Sequence, residues 1–407
     1  MIDSINISNF WQKLDRDSKS YEQAVHYPSY FKSPFCTIAE IKEVLYNWCY
    51  SDLEYVKGTS RVYINGGMSY AHSRLFYQNP PNENDTLKSY HQRIFGNQKA
   101  GIFIDQIERF HDTLAQRVAK FVQPLADQLG FPHFTCTLSL LMGNYGETPF
   151  GIHYDFLGGR TFHLILEGQK EMQSWQREEV YQITGQKNRN FYWTDKEKLM
   201  KYGQKYSLCK GDLFFLPIHT YHIGNSSEFN VDFCITIINE DNPKVVKESL
   251  RRYSHQLGEA FHSSTPESDF EHHHLSIPDP HQSITLSDLI EDYSLRLQSN
   301  GGLKYMPQLL PFTGKLKEKV LQLKNPFKLF YQVKDENLDL YVRGRIIRLY
   351  HLPSLITLFD HWNKGKIFHY TDIVNELKND ISEEDIENLL LLIYKYGGLE
   401  IVKYSLT

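Results

Sequence analysis

Cysteine is scarce in this 407-residue chain, and its five residues (Cys36, Cys49, Cys136, Cys209, Cys234) are scattered with no Cys-x-x-Cys among them. An odd, dispersed set is a poor disulfide framework and points to a reducing compartment. Long apolar runs are also missing. The longest, Leu389–Tyr394, is far below the roughly 20 residues that span a bilayer. The opening MIDSINISNFWQKLDRDSK carries no apolar signal core, so the expected location is the cytoplasm. Nor is there an excess of positive charge. A formal net charge of -5 argues against a general polyanion binder, although a local basic patch stays possible. What is abundant is aromatic: 27 Tyr and 25 Phe, enough for bulky cores or aromatic-lined grooves.

Thr37-Ile-Ala-Glu40 fits a capping box and predicts a helix over about 37–48. Residues 78–90 (QNPPNENDTLKSY) read as a loop by composition. Over 102–129, Ile104, Ile107, Phe110, Leu114, Val118 and Phe121 recur at spacings of three and four, an amphipathic helix bent or interrupted at Pro124. From Thr135 the period changes to that of strands, with runs at 135–142, 161–166, 213–218 and 229–238 suggesting a closed or sandwiched antiparallel sheet. The charged stretch 176–207, with Phe191, Tyr192 and Trp193, is either a substrate-facing flap or plain surface. Residues 254–284 form a connection, and its His272-His273-His274 reads as solvated linker, since consecutive loop residues converge poorly on one ion.

Beyond it, residues 301–348 hold ten Lys/Arg against four Asp/Glu, whereas 349–407 hold five against nine. The basic part is read as a solvated face or one that lies against acidic surface. Three short helices (353–362, 371–378, 382–396) and the strand-like LEIVKYSL suggest a winged-helix module. Its negative local charge and lack of an Arg/Lys-rich recognition helix argue against direct DNA binding.

The chemistry centres on NYGETPFGIHYDFLGGRTFHLILEGQK, residues 144–170. Side chains two apart on a strand share a face, so His153 and Asp155 can point together. A third ligand from the returning GDLFFLPIHTYHIGN, either His219 or His222, would complete two histidines and one carboxylate. That donor set suits Fe(II) and leaves positions open for a co-substrate and O2. A 2-oxoglutarate co-substrate needs a cation for its far carboxylate. Lys170, on the hairpin leaving the His-x-Asp strand, is the candidate; Arg160, in the FLGGR turn, is expected to face solvent or substrate. Asn144 and Tyr145 are candidates for touching the co-substrate, and Thr161 and His163 have the parity to face the pocket. Asn225 and Asn230 are weaker candidates. Tyr154, Phe162, Phe214 and Trp175 are expected core.

The three stretches NYGETPFGIHYD, FHLILEGQK and KGDLFFLPIHTYHIG resemble the JmjC-type oxygenases of the cupin superfamily, in particular their ribosomal-oxygenase-like branch, over about residues 100–240. The resemblance implies a mixed α/β fold: a double-stranded β-helix (jelly roll) with N-terminal helices, a helical connector and a C-terminal winged-helix-like module. The implied division is 1–95 for the N-terminal region and 96–245 for the catalytic domain. A linker and dimerisation-type helical region (246–335) and the winged-helix-like domain (336–407) would follow. Matching Pro-x-Gly-x-x-His onto Pro217-Ile-His-Thr-Tyr-His222 selects His222 as the ligand and puts His219 at the usual glycine. The family's basic residue matches Lys170. Phe150 departs from the pattern, standing where a hydroxyl residue sometimes assists the co-substrate. Also implied are a homodimer and 2-oxoglutarate-driven hydroxylation of a protein or peptide side chain, a ribosomal protein being preferred. The alternatives are tailoring of a peptide natural product, N-methyl-lysine demethylation, a non-enzymatic metal- or ligand-binding cupin, and a nucleic-acid-binding regulator.

Overall fold

The computed structural model describes residues 7–31, 33–51, 60–155, 159–186, 191–192, 196–263, 284–312 and 314–402. Trp193 and His272–His274 lie outside them. The chain divides into two compact units, one of 1–125, 136–238 and 303–308, the other of 126–135, 239–302 and 309–407.

The first unit is a mixed α/β structure whose centre is two sheets. In the eight-stranded sheet the order is Val25–Tyr27, Leu213–Leu216, Gly159–Glu167, Asn230–Asn239, Phe134–Gly143, Ala100–Asp105, Arg61–Ile64 and Gly67–Met68. The six-stranded sheet runs Phe191–Tyr192, Ile152–His153, Tyr221–Ser226, Gln169–Trp175, Gln204–Cys209, with Gly146–Glu147 added beside Tyr221–Ser226. Ile165, Phe214 and Leu216 from the first sheet pack with Met172 and Leu208 from the second, so the sheets share an apolar layer. The mixed α/β character, several sheets with helices beside them, is the one expected.

Strand parity decides which residues face that layer. On Gly159–Glu167, Phe162 points outward into an aromatic cluster with Phe10, Trp11 and Phe121. These rings come from the helices Ile7–Asp17 and Asp112–Leu129. Burial of such rings stabilises by about 1.5–3 kcal/mol each. Thr161, His163 and Ile165 therefore turn inward. The hairpin to Gln169–Trp175 depends on Gly168: its φ is +74°, and a Cβ there would lie 2.1 Å from the Phe229 carbonyl oxygen. No side chain fits that approach.

The helix Ile38–Cys49 begins where expected, with Thr37 as N-cap and Glu40 closing the capping box. Two expectations need correction. Residues 102–129 are not one helix: Ala100–Asp105 is a strand, Ile107–Arg109 a single 3-10 turn, and the helix starts only at Asp112. Alternation and helical spacing overlap in so short an apolar run, and the sheet takes it because Ile102 and Ile104 are buried against neighbouring strands. The loop at 78–90 ends early, since Thr86 caps a helix over Leu87–Phe95 with Ser89 answering in the capping box.

In the second unit Val320–Leu323, Phe368–His369 and Leu399–Ile401 form one three-stranded sheet. They share a core with the helices Pro353–Asn363, Tyr370–Leu377 and Glu383–Lys395, built on Leu358, Trp362, Ile373, Leu390 and Ile393. The expected helices at 353–362, 371–378 and 382–396 are thus present within a residue or so at each end. Phe330–Lys334, Asn337–Val342 and Arg345–Tyr350 make a second three-stranded sheet that composition did not show. Arg343 is buried there, its guanidinium 3.5 Å from the Phe327 ring centre and bonded to Asn300 and the Gly397 carbonyl. Part of the basic excess of 301–348 is therefore internal. Among the described residues no helix is long and apolar enough to cross a membrane.

Candidate metal centre

His153 ends a two-residue strand and His222 sits directly opposite it on Tyr221–Ser226. The two rings approach to 4.3 Å between centres. Asp155 lies just past the strand end, with Oδ1 3.9 Å from His222 Nε2. One donor atom from each of His153, Asp155 and His222 falls within 4.8 Å of the others. His219 is not among them: it is exposed on the preceding turn at φ +62°, the left-handed region that favours glycine, with its ring 5.7 Å from that of Tyr154.

The hydrogen bonds around the three residues prepare them for a cation. His153 Nδ1 lies 2.9 Å from the Gly151 carbonyl and His222 Nδ1 3.2 Å from that of Thr220. A carbonyl only accepts, so each Nδ1 carries the proton and each Nε2 keeps its lone pair for a metal. Burial lowers the pKa of both imidazoles, which keeps them neutral. The Thr161 hydroxyl donates to Asp155 Oδ2 at 2.9 Å, leaving Oδ1 on the side of His222. Burial would raise the Asp155 carboxyl, but His222, His153 and Thr161 outweigh it and hold it below the usual carboxylate range. Two neutral imidazoles and an ionised carboxylate fit a divalent iron, whose redox chemistry they leave exposed at open positions.

A second group, His163, Asp232 and Cys234, is also close enough to share an ion, but its chemistry fits poorly. His163 Nδ1 donates to Asp232 Oδ2 at 2.9 Å, and Lys170 Nζ donates to the same oxygen at 2.5 Å. The ammonium already stands where a cation would, and burial pushes the Cys234 thiol well up, away from the thiolate a metal requires.

Lys170 is thus inward-facing and buried, as its strand position suggested, and it is ion-paired across the two sheets to Asp232. Beside it the Tyr145 hydroxyl is buried with no hydrogen bond of normal geometry among the described residues, and burial pushes its pKa up to about 12 even though Lys170 pulls the other way. Asn144 is engaged structurally, its side-chain carbonyl accepting from the Ala100 amide at 3.1 Å. Arg160 is partly buried, its guanidinium over the Tyr21 ring at 5.8 Å. Asn230 donates to the Glu167 carbonyl, Asn225 sits in the strand register opposite Glu147 and Glu171, and Trp175 is core, bonded to the Leu199 carbonyl.

Several residues near the centre carried no motif. Arg61 lies over Phe103 and Phe150 at 4.4 and 5.2 Å and within 3.6 Å of Asp105. Burial first, and Asp155 as well, lift the Asp105 carboxyl to about 6. Phe150 meets the His153 ring edge-on at 5.4 Å, so the departure from a hydroxyl residue puts an apolar wall against the first imidazole. Asp232 is the largest omission, since its role is visible only once two sheets are brought together. Asp212, by contrast, orders the Gly-Asp turn by accepting from the Ser29 and Cys209 amides and pairing with His26 at 2.8 Å.

No protein-family model matches the chain, and no curated protein matches it. Among solved structures it is similar to E. coli ycfD at 12% identity, covering 98% of this chain and 99% of that one with a TM-score of 0.49. It is also similar to YcfD, described as a ribosomal oxygenase from Escherichia coli, in complex with cobalt and 2-oxoglutarate (12% identity, 98% and 99% covered, TM-score 0.48). A cupin superfamily protein from Desulfitobacterium hafniense DCB-2 matches 26% of this chain and 68% of its own at 19% identity, with a TM-score of 0.17.

Proposed function

We propose that this chain is an Fe(II)- and 2-oxoglutarate-dependent oxygenase that hydroxylates a side chain of a protein or peptide, with a ribosomal-protein-like substrate preferred. The observation that carries this is the convergence of His153, Asp155 and His222, each with its second polar atom tied off so that the first is left for a metal. In this reading those three residues hold the iron, which when bound supplies the redox chemistry that couples 2-oxo acid decarboxylation to C–H hydroxylation. Lys170 holds the co-substrate's far carboxylate, and Tyr145 offers it a hydroxyl. Asn144 keeps a supporting place, ordering the chain that leads to Tyr145. Thr161 fixes the Asp155 carboxylate. The aromatic wall of Phe150 keeps water from the reacting atoms. We assign residues 96–245 as the catalytic domain after the N-terminal region 1–95. Residues 246–335 serve as the linker and dimer-forming helical region, and 336–407 as a winged-helix-like module that does not read DNA.

The test is anaerobic addition of Fe(II) and 2-oxoglutarate to the purified protein. The expected result is the visible charge-transfer band of a 2-oxo acid chelated to Fe(II), its loss in His153→Ala and Asp155→Ala, and succinate formation once O2 is admitted. A band and turnover that persist in both variants would refute the metal assignment. Intact-mass analysis of ribosomal proteins and peptides after incubation, looking for a co-substrate-dependent gain of one oxygen, then identifies the substrate.

A further inference from the structure

Lys170 and Asp232 lie on facing strands of different sheets, both side chains almost wholly withdrawn from water, Nζ and Oδ2 2.5 Å apart. A buried ammonium needs a counter-charge. Here the chain supplies it, so the cation proposed to receive a ligand carboxylate is neutralised before any ligand arrives. The Tyr145 hydroxyl and His163 Nε2 lie buried in the same neighbourhood, and among the described residues neither has a hydrogen bond of normal geometry. At Gly224 a Cβ would come within 2.8 Å of Lys170 Cε and 3.0 Å of Thr148 Oγ1, so any larger residue there pushes the lysine stem aside. The glycine thus lets the lysine stem lie flat against the strand that carries His222.

We infer that Asp232 is an internal competitor for the co-substrate: its carboxylate occupies Lys170 in the empty protein and must give way to the far carboxylate of a dicarboxylic 2-oxo acid. The inference rests on the 2-oxoglutarate reading above. An incoming carboxylate meets a neutral pair with a like charge beside it, rather than a bare cation, and such juxtaposition weakens binding. His163, which donates to the same Asp232 oxygen at 2.9 Å, is placed to keep that carboxylate when Lys170 changes partner. Asp232 therefore sets how strongly the site prefers two carboxylates over one.

The experiment compares 2-oxoglutarate with pyruvate, which keeps the metal-chelating 2-oxo acid but lacks the far carboxylate. Affinities are measured anaerobically by calorimetry on Mn(II)-loaded wild type, Asp232→Asn and Asp232→Asn/Lys170→Met. The expected result is that Asp232→Asn binds 2-oxoglutarate at least tenfold more tightly with pyruvate affinity unchanged, and that the double variant loses the gain. Unchanged or weaker 2-oxoglutarate binding in Asp232→Asn overturns the inference while leaving the co-substrate reading in place. Failure of 2-oxoglutarate to bind any Mn(II)-loaded form sinks both. If Asp232→Asn does not fold, a crystal structure of the wild type with Mn(II) and 2-oxoglutarate decides. Lys170 should then bond to the ligand and stand beyond hydrogen-bond distance from Asp232, and a retained Lys170–Asp232 pair overturns the inference.

Discussion

Replacing Lys170 by Met in the metal-free protein removes one member of a buried ion pair and leaves the other in place. Asp232 would keep the His163 bond at 2.9 Å and a long contact with the Cys234 thiol at 3.5 Å, but no cation. Breaking a buried pair in this way costs about 3–5 kcal/mol. With a urea dependence of about 1–3 kcal/mol per molar, the midpoint should fall by about 1 M or more. Removing both charges in Lys170→Met/Asp232→Leu restores part of the loss, because an apolar pair needs no counter-charge. The remaining deficit is the buried His163 Nδ1–H without its acceptor, about 1–3 kcal/mol. The double variant is therefore expected to be more stable than the single one.

The same perturbation has a pH signature. In the wild type, burial would raise the Asp232 carboxyl, but Lys170 and then His163 outweigh it and hold it well below the usual carboxylate range. A depressed carboxyl contributes stability that is fully present above the unfolded value and lost only as pH falls from there through the folded one. Without Lys170 the balance reverses: burial dominates, and the folded carboxyl titrates above its unfolded value. The loss in Lys170→Met should then be greatest at neutral pH and shrink as the solution is acidified. Urea unfolding followed by tryptophan fluorescence at pH 7 and pH 5, with chelator present, measures it. A loss of equal size at both pH values, or a double variant less stable than Lys170→Met, would refute the reasoning.

Thr161→Val removes the hydroxyl that fixes Asp155 Oδ2, and metal affinity measured by competition with a chelator should fall about 10–100-fold, whereas His219→Ala should leave it unchanged. Burial lowers the pKa of His153 and His222, so protons should not compete with metal near the ordinary histidine value of about 6.5. Mn(II) affinity is expected to stay flat between pH 7.5 and 6.5, and a steep fall in that interval would contradict the neutral-imidazole argument. The linked sign for folding is opposite to that of a paired histidine: below about 6.5 the unfolded chain takes up protons the folded one refuses, so metal-free stability declines on acidification. Gly224→Ala crowds the Lys170 stem, and calorimetry should show weaker 2-oxoglutarate binding with Mn(II) binding intact.

The centre was readable where its geometry is local. Thr161 and His163 share a strand face, so parity oriented them, whereas the strand carrying His153 ends at that residue and Asp155 reaches the same place from just beyond it. The third member of the cluster needed more, because His219 and His222 lie three residues apart in one segment. Backbone conformation separates them: the chain takes φ +62° at His219, which turns that side chain out, and then enters the strand that sets His222 opposite His153. Asp232 had no such local mark. In the sequence it is one aspartate in an apolar run, NVDFCITIIN, where a charge is the least expected residue. A carboxylate in a strand buried on both faces is costly unless a cation meets it. Lys170, in a strand of the facing sheet, poses the same problem with the opposite sign. Each residue could have been flagged alone as a charge needing a partner, but joining them required knowing that Gln169–Trp175 and Asn230–Asn239 face each other across the interior. That pairing also changes what the lysine is: a cation held by its own chain, which a ligand can have only by exchange.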